Sequence, residues 1–244
     1  MKSKEAAPPR RWLVTGASRG IGRAIASRVV AGGEQVCILA RGESGQAAAR
    51  EIGGGAVAVV ADVADPDAVK EAVGEAARLL GGIDVVVNNA GQHRGGRVDA
   101  LSLPDWDSTM ATNLAGPLHV IRAALPHLAP GSAIVNIGAV VGYRGFPGDS
   151  CYGASKAGLA GLSQVLAAEL APRGIRVNLV VPGFAMSEMT GNISERARQD
   201  IIAKIPMGRI GEADEIAEVV WWVAGSSYMS GSVVATDGGL MGSL

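Results

Sequence analysis

Short apolar segments alternate with longer helix-like segments along nearly the whole of this 244-residue chain. The apolar residues of the short segments stand at consecutive positions, which is typical of strands buried on both faces of a sheet. Alternation of such strands with helices predicts an α/β fold, a doubly wound parallel sheet with right-handed crossovers. The predicted strands are 12–15, 35–40, 56–60, 83–88, 133–137, 175–181 and 232–236, and the predicted helices lie near 21–32, 44–52, 66–80, 104–129, 153–171 and 212–224.

The amino-acid composition limits the classes of partner that we expect for this chain. Apolar residues make up 48% of the chain, which is ample for one core, and the net charge is only −1. Without a basic patch or a run of like charge we expect neither nucleic acid nor a membrane as partner. No segment reaches the roughly 18 uninterrupted apolar residues of a membrane span.

Residues 1–10 are predicted to form a disordered tail on a domain spanning 11–244. The sequence contains only two cysteines in 244 residues, which predicts a cytoplasmic protein without structural disulfides. No metal site is predicted.

The segment Thr15-Gly-Ala-Ser-Arg-Gly-Ile-Gly22 follows a predicted strand and opens a predicted helix. Small residues at such a junction let the backbone approach a pyrophosphate, whose charge then lies at the helix N-terminus. The context therefore predicts a dinucleotide site. The alternative is an ordinary tight turn between a strand and a helix.

The segment Tyr152-Gly-Ala-Ser-Lys156 places a phenol and an ammonium one helical turn apart, on the same face. A lysine charge near a tyrosine favours the phenolate, so the pair predicts an acid/base group with a tyrosine pKa below its usual value of about 10. The alternative is an exposed helical pair that stabilises the helix by about 0.2–0.5 kcal/mol.

With Asn88-Asn-Ala-Gly91 between them, these two segments resemble the short-chain dehydrogenase/reductase family, and most closely its 3-oxoacyl carrier-protein reductase branch. The resemblance covers about residues 10 to 242. It implies a seven-stranded sheet in the order 3-2-1-4-5-6-7, a substrate lid near 184–207 and a homotetramer. It also implies NADPH-dependent reduction of a small-molecule carbonyl substrate, a 3-oxoacyl-type or related ketone, to a secondary alcohol. The alternative is a catalytically silent NADP-binding protein that acts through assembly or sensing.

Two arginines indicate which cofactor is used. The second predicted strand ends at Arg41 with no acidic residue at its tip, and Arg19 lies inside the glycine loop. An acidic residue would suit the ribose hydroxyl of NAD, whereas arginine accommodates the 2′-phosphate, so we expect NADP(H). The alternative is that both arginines are solvated surface charges. The remaining cofactor-binding residues implied by the resemblance are Gly16, Ser18, Gly20, Ile21, Gly22, Asp62, Val63, Asn88, Ala90, Gly91, Tyr152, Lys156, Pro182, Gly183 and Ser187.

The resemblance also implies catalytic roles. Tyr152 would protonate the carbonyl oxygen, Lys156 would lower the tyrosine pKa and bind the nicotinamide ribose, and Asn113 would hold a water of the proton relay. Thirteen residues before the tyrosine, where the family has a serine that binds the substrate carbonyl, this chain has Ala139. Loss of one such donor typically lowers kcat by about 10² to 10³, so reduced activity is expected. Three explanations are open: an engineered Ser→Ala change, a natural enzyme with reduced or redistributed carbonyl activation, or a protein that binds cofactor without turnover.

The candidate substrate-binding residues are Gln92, His93, Val141, Tyr143, Phe184 and Met189. His93 is either a second acid/base group or a loop histidine that shapes the mouth of the pocket. A carrier-tethered substrate would dock on basic residues; Arg173 matches one such position, but 126–132 lacks the other basic cluster, so a free carbonyl compound is also open. Of the adjacent Trp221 and Trp222, one is expected to serve the core and the other to meet a neighbouring subunit.

Overall fold

The computed structural model describes residues 8–185 and 194–242. Within these residues, seven parallel strands form one sheet in the order β3-β2-β1-β4-β5-β6-β7, which confirms the predicted fold class and strand order. The strands are β1 (Arg11–Thr15), β2 (Gln35–Ala40), β3 (Val57–Val60), β4 (Val85–Asn88), β5 (Ala133–Ile137), β6 (Arg176–Pro182) and β7 (Val233–Thr236).

The α-helices cover both faces of the sheet. They are α1 (Gly20–Ala31), α2 (Ser44–Ile52), α3 (Pro66–Leu80), α4 (Leu103–Met110), α5 (Gly116–Ala124), α6 (Ser150–Leu170), α7 (Glu195–Ile202) and α8 (Ala213–Gly225). Short 3-10 turns lie at Leu125–His127, Val140–Gly142 and Ala171–Arg173. No helix among the described residues is both long enough and apolar enough to cross a membrane.

Two apolar layers enclose the sheet. Leu13 of β1 packs with residues of α3, α5 and α6 on one face, while Trp12 and Val14 pack with α1, α2 and α8 on the other. On this second face the indole rings of Trp12 and Trp221 stack with their centroids 5.5 Å apart, so Trp221 is the core member of the tryptophan pair. Trp222 is 56% exposed. Because parallel strands share one direction, all seven carboxyl ends lie at the same edge, where the site forms.

The predicted helix 104–129 is wrong as a single helix. The chain instead forms α4, a π-helical turn at Ala111–Ala115, α5 and a final 3-10 turn. The π turn contains Asn113, whose side chain bonds backbone and side-chain groups outside the helix. Such turns interrupt a helix where a side chain has been redirected for another purpose.

Two segment ends also differ from the predictions. Helix α6 begins at Ser150 and not at 153, so Tyr152 lies in its first turn. Arg10, assigned to the disordered tail, pairs with Glu34 at 2.9 Å and accepts a backbone hydrogen bond from Gln35. Ordered structure therefore begins before residue 11.

Candidate active site

The glycine loop is shaped by close backbone approach. Gly16 has φ +64°, and a Cβ there would lie 2.7 Å from the Cα of Ala90. A Cβ on Gly22 would lie 2.5 Å from the carbonyl oxygen of Gly16 and would overlap the side chain of Asn89. At both positions only glycine fits, so the loop stays close to the backbone that follows β4.

Thr15 and Asn89 hold this loop in place. The hydroxyl of Thr15 accepts hydrogen bonds from the backbone N–H groups of Asn89 and Ala90, both at 3.0 Å. In return, Asn89 Nδ2 donates to the carbonyl oxygens of Thr15 at 3.0 Å and Gly16 at 3.1 Å. Both residues lie within the motifs given above, but neither was predicted to belong to the site. Thr15 at the end of a strand and the second asparagine of the motif were the available signals.

The N-terminus of α1 suits an anionic group. Its N-cap, Arg19, makes no side-chain capping bond, and the first turn contains no acidic residue. The backbone N–H groups of this first turn therefore have no carboxylate within their own turn. A helix N-terminus of this kind, after a loop of small residues, fits a dinucleotide pyrophosphate.

The ends of β2 and β3 present one cation and one carboxylate. Arg41 is 70% exposed in its side chain, and its guanidinium lies 3.8 Å from a carboxylate oxygen of Asp62. The other carboxylate oxygen of Asp62 accepts from the backbone N–H of Ala64 at 2.9 Å. Arg41 thus stands at the expected end of β2, held loosely enough to turn toward a phosphate.

Asn88 is buried at the end of β4. Its Nδ2 donates to Asn136 Oδ1 at 2.8 Å, which joins its side chain to the neighbouring strand β5. Asn136 Nδ2 donates in turn to Ser163 Oγ at 2.8 Å. Asn88 Oδ1 has no hydrogen-bond partner among the described residues.

Tyr152 and Lys156 lie one turn apart on α6, as predicted. Lys156 is buried, its Nζ donates to the carbonyl oxygen of Ile137 at 2.8 Å, and it lies 5.7 Å from the centre of the Tyr152 ring. Burial lowers the pKa of Lys156 to about 8.

The expected depression of the tyrosine pKa is wrong for this structure. Burial, with a smaller contribution from the charge of Asp149, raises the pKa of Tyr152 to about 12. The ammonium of Lys156 bonds to a carbonyl at the end of β5, so desolvation dominates over its attraction for a phenolate. The phenol therefore stays protonated at neutral pH.

Asn113 joins the π turn to the segment after the Asn-Asn-Ala-Gly motif. Its Oδ1 accepts from the backbone N–H of Gln92, and its Nδ2 donates to the carbonyl oxygen of Gln92, both at 2.9 Å. Nδ2 also donates to Ser155 Oγ at 3.1 Å. A Cβ on Gly91 would lie 3.3 Å from Asn113 Oδ1 and 3.8 Å from Lys156 Nζ, so these groups converge.

Ala139 lies between β5 and the 3-10 turn Val140–Gly142, in an extended conformation. This turn packs directly on α6, since a Cβ on Gly142 would lie 2.9 Å from the backbone nitrogen of Ala157. The nearby hydroxyl of Ser155 donates to the carbonyl oxygen of Tyr152 at 2.7 Å, so it is already engaged. The side chain at position 139 is a methyl group, which cannot donate a hydrogen bond.

The substrate-binding candidates divide into an apolar group and a polar group. Val141 and Phe184 belong to an apolar cluster in which the rings of Phe146 and Phe184 meet edge to face at 5.9 Å. Tyr143 lines an adjoining cavity of about 600 Å³, and burial raises its pKa. Gln92 Nε2 donates to Ser108 Oγ at 2.7 Å.

His93 lies directly against Tyr152. Its ring meets that of Tyr152 edge to face with centroids 5.0 Å apart, and its Nε2 lies 2.6 Å from Asp149 Oδ1. The carboxylate of Asp149 raises the pKa of His93. Asp149 was not predicted as a site residue, because it is 56 residues from His93 and carries no local signal of this contact.

Two predicted residues, Ser187 and Met189, lie outside the described residues. Pro182 closes β6, and a Cβ on Gly183 would lie 2.7 Å from the Cα of Asp237, so this segment passes close to the chain after β7. Within 8–185 and 194–242 no group of three or more histidine, cysteine, aspartate or glutamate residues could hold a metal ion.

A family model described as enoyl-(acyl carrier protein) reductase matches residues 16–241. A 3-oxoacyl-[acyl-carrier-protein] reductase FabG of Staphylococcus aureus is 39% identical over 237 residues, covering 93% of this chain and 96% of that protein. A human 3-oxoacyl-[acyl-carrier-protein] reductase is 40% identical over 230 residues, with the same two coverages.

Solved structures agree with these relatives. A dehydrogenase/reductase of Sinorhizobium meliloti matches with a TM-score of 0.90 and 38% identity, covering 95% of this chain and 94% of that one. A short-chain dehydrogenase of Burkholderia cenocepacia, crystallised in complex with NADP, matches with a TM-score of 0.89 and 39% identity. It covers 95% of this chain and 97% of that one.

The glycine loop yields a prediction on binding. Gly22→Ala should weaken NADPH binding at least tenfold, because the added Cβ forces the loop away from Asn89 and Gly16. Tenfold corresponds to about 1.4 kcal/mol. Fluorescence titration measures the affinity. Gly74→Ala in α3, where a Cβ would have no neighbour within 4 Å, is the matched control and should bind NADPH as the parent does. Equal affinities for parent and Gly22→Ala would contradict the site.

Proposed function

The chain belongs to the short-chain dehydrogenase/reductase family, and we propose that it is an NADP-dependent oxidoreductase that reduces a ketone to a secondary alcohol. The relatives are named 3-oxoacyl reductases, and solved structures with NADP or NADPH are among the matches. The observation that carries the proposal is the buried Lys156 one turn from Tyr152, at the sheet edge that also bears the glycine loop.

The residues present can perform this reaction. NADPH, when bound, supplies a hydride for the carbonyl carbon. Tyr152 donates its proton to the carbonyl oxygen as negative charge develops there. Its raised pKa suits this direction, because the phenol is fully protonated at neutral pH, whereas the reverse reaction needs the phenolate. Lys156, with a pKa of about 8, is largely charged at neutral pH and stabilises the tyrosinate formed by proton donation.

We propose a 3-oxoacyl-type or related ketone as the substrate. The apolar cluster of Val141, Phe146 and Phe184 beside the site supports an apolar chain on the ketone. Arg173 is exposed and donates to the carbonyl oxygen of Leu125 at 2.8 Å, so it is accessible to the carrier that the resemblance implies. Both a carrier-tethered ketone and a free one are consistent with this surface.

A second function, NADP binding without turnover, is favoured by one observation. Ala139 gives the substrate oxygen no donor from the segment where the resemblance places a serine. Steady-state oxidation of NADPH against a panel of ketones separates the two functions. The panel includes a 3-oxoacyl thioester, a simple ketone and a 2-enoyl thioester, since the family model is described as an enoyl reductase. Binding of NADPH with no turnover of any member would favour the silent protein.

We further propose a cytoplasmic location. Both cysteines of the sequence, Cys37 and Cys151, are buried free thiols, which suits a reducing compartment. Burial also raises the pKa of Cys37 to about 12, which keeps that thiol unreactive.

The two arginines near the cofactor site give a prediction on cofactor preference. NADPH should bind at least ten times more tightly than NADH, a difference of about 1.4 kcal/mol, because Arg19 and Arg41 can face the 2′-phosphate. Arg41→Ala should remove most of this preference by weakening NADPH binding and leaving NADH binding unchanged. Arg50→Ala, an exposed arginine on α2, is the control and should keep the parent's preference. Calorimetric titration that finds equal affinities of the parent for both cofactors would overturn the assignment.

The acid/base role of Tyr152 gives the next prediction. Tyr152→Phe should lower kcat by at least 10² while leaving the dissociation constant for NADPH within about threefold, because the lost hydroxyl serves the chemical step. Tyr228→Phe, the same change at a fully exposed tyrosine that is not a candidate site residue, is the matched control and should keep the parent's rate. Retention of the rate by Tyr152→Phe would show that another group donates the proton.

The exposed end of α8 supports a homotetramer. Trp222 is 56% exposed, and β7 ends the order of the described strands with Val233 at its surface. An exposed tryptophan, and a strand edge without a partner among the described strands, are each suited to contact with a second subunit. Trp222→Glu should therefore shift the mass measured by light scattering from four chains to a smaller species. Leu79→Glu, an equally drastic change at an exposed leucine of α3, should stay tetrameric. A monomeric parent would refute the proposed assembly.

A further inference from the structure

Ala139 raises the question of which group binds the carbonyl oxygen of a ketone beside Tyr152. The best-placed side chain is His93, whose ring lies 5.0 Å from that of Tyr152. Its Nε2 is bonded to Asp149 at 2.6 Å, and its Nδ1 has no hydrogen-bond partner among the described residues. One ring nitrogen is thus fixed by the protein while the other is left for a ligand.

The segment that bears His93 is held on both sides. Before it, Gln92 is bonded through both backbone groups to Asn113 at 2.9 Å. After it, the backbone N–H of Gly96 donates to the carbonyl oxygen of Gly148 at 2.7 Å, next to Asp149. A donor held in this way loses little freedom when the substrate binds, which is the property that makes a donor to a developing oxyanion effective.

The side chain of Asp149 bonds to His93 and does not cap the helix that Asp149 precedes. It is the N-cap of α6, a position where aspartate commonly accepts from the first backbone N–H groups, yet its side chain makes no capping bond. Its carboxylate lies against His93 Nε2 instead. The bond between this carboxylate and Nε2 fixes the orientation of the imidazole and which ring nitrogen faces away from the protein partner.

We propose that His93 is a catalytic residue that donates a hydrogen bond from Nδ1 to the ketone oxygen, in place of the hydroxyl that Ala139 lacks. The inference rests on the proposed function. The hydride, which carries both electrons, would still pass from NADPH to the carbonyl carbon, and the proton still passes from Tyr152 to the oxygen. His93 transfers no proton and stabilises the charge that develops on the oxygen.

The charge state of His93 fits this role. With Nε2–H donating to Asp149, Nδ1 is a donor only when the ring is an imidazolium. Asp149 raises the pKa of His93, so the imidazolium extends to a higher pH than in a free histidine. The other titratable groups near His93 include Tyr152, whose ring it contacts, and Lys156, whose Nζ lies 5.7 Å from the centre of that ring. The neighbouring Arg94 is paired through its guanidinium with Asp105 at 2.7 Å. Activity should therefore fall as the pH rises through the pKa of His93, and this fall should move to lower pH in Asp149→Asn.

Two substitutions of His93 separate the roles of its two ring nitrogens, and one substitution of His127 is the control. The amide nitrogen of glutamine takes the place of Nε2 and that of asparagine takes the place of Nδ1. His93→Gln keeps the contact with Asp149 and loses the substrate donor, so kcat should fall by about 10² to 10³. His93→Asn keeps a donor at the place of Nδ1, so its kcat should be at least ten times that of His93→Gln. His127→Gln, the same change at an exposed histidine far from the site, should match the parent.

Restoring a serine gives the decisive comparison. Ala139→Ser should raise kcat at least tenfold in the His93→Gln protein and less than threefold in the parent, because one donor already serves the oxygen there. Equal effects in both backgrounds, or His93→Gln within threefold of the parent, would overturn the proposal. A loss in His93→Gln that Ala139→Ser does not restore would show that His93 is a positioning residue for Tyr152, which also overturns it. NADPH affinity, measured on every variant, reports that the fold is intact.

A measurement without turnover separates this inference from the proposed function. In the protein saturated with NADP⁺, acetoacetyl-N-acetylcysteamine cannot be reduced, and its binding should raise the pKa of His93 as followed by NMR of the imidazole. An unchanged pKa on binding would refute the inference even if the ketone is reduced with NADPH. If the pKa rises but no ketone is reduced with NADPH, the proposed function fails while the contact to His93 stands.

Discussion

The hydroxyl of Thr15 is the contact on which the site depends. It accepts from two successive backbone N–H groups after β4, and Asn89 returns two hydrogen bonds to the loop after β1. Two loops that leave neighbouring strands are thereby fixed to each other. This contact also positions the residues that follow Asn89. Gly91 lies beside Asn113 and Lys156, and Gln92 is bonded to the π turn. His93 packs against Tyr152.

Much of the fold follows from patterns that are local in the sequence. Consecutive apolar positions identified all seven strands, although β4 begins at Val85 and not at 83. The glycine loop and the Tyr152–Lys156 spacing are equally local. The break at Asn113 could not be predicted, because a π turn there is stabilised by bonds to Gln92 and Ser155, which are distant in sequence.

The same distinction explains the error over Tyr152. Spacing along a helix shows that a lysine is near a tyrosine, but not how deeply both are buried or what else bonds the ammonium. Here Ile137 binds the ammonium and the surrounding protein desolvates the phenol, so burial outweighs charge. Asp149 could not be foreseen for a similar reason. An aspartate ahead of a helix is predicted to cap it, and only the folded chain shows its carboxylate turned to a histidine.

The strand order also bears on how the chain folds as it leaves the ribosome. Among the described strands, every neighbouring pair but one joins strands that are consecutive in the chain; the exception is β1 with β4. Their register, Trp12 with Val85 and Leu13 with Val86, closes a separation of 73 residues. The first three strands can pair as they emerge, β4 then docks on the waiting edge of β1, and each later strand adds to the one before it. Arg11 and Asp84 therefore form their ion pair at the one step of nascent-chain assembly that requires a distant partner.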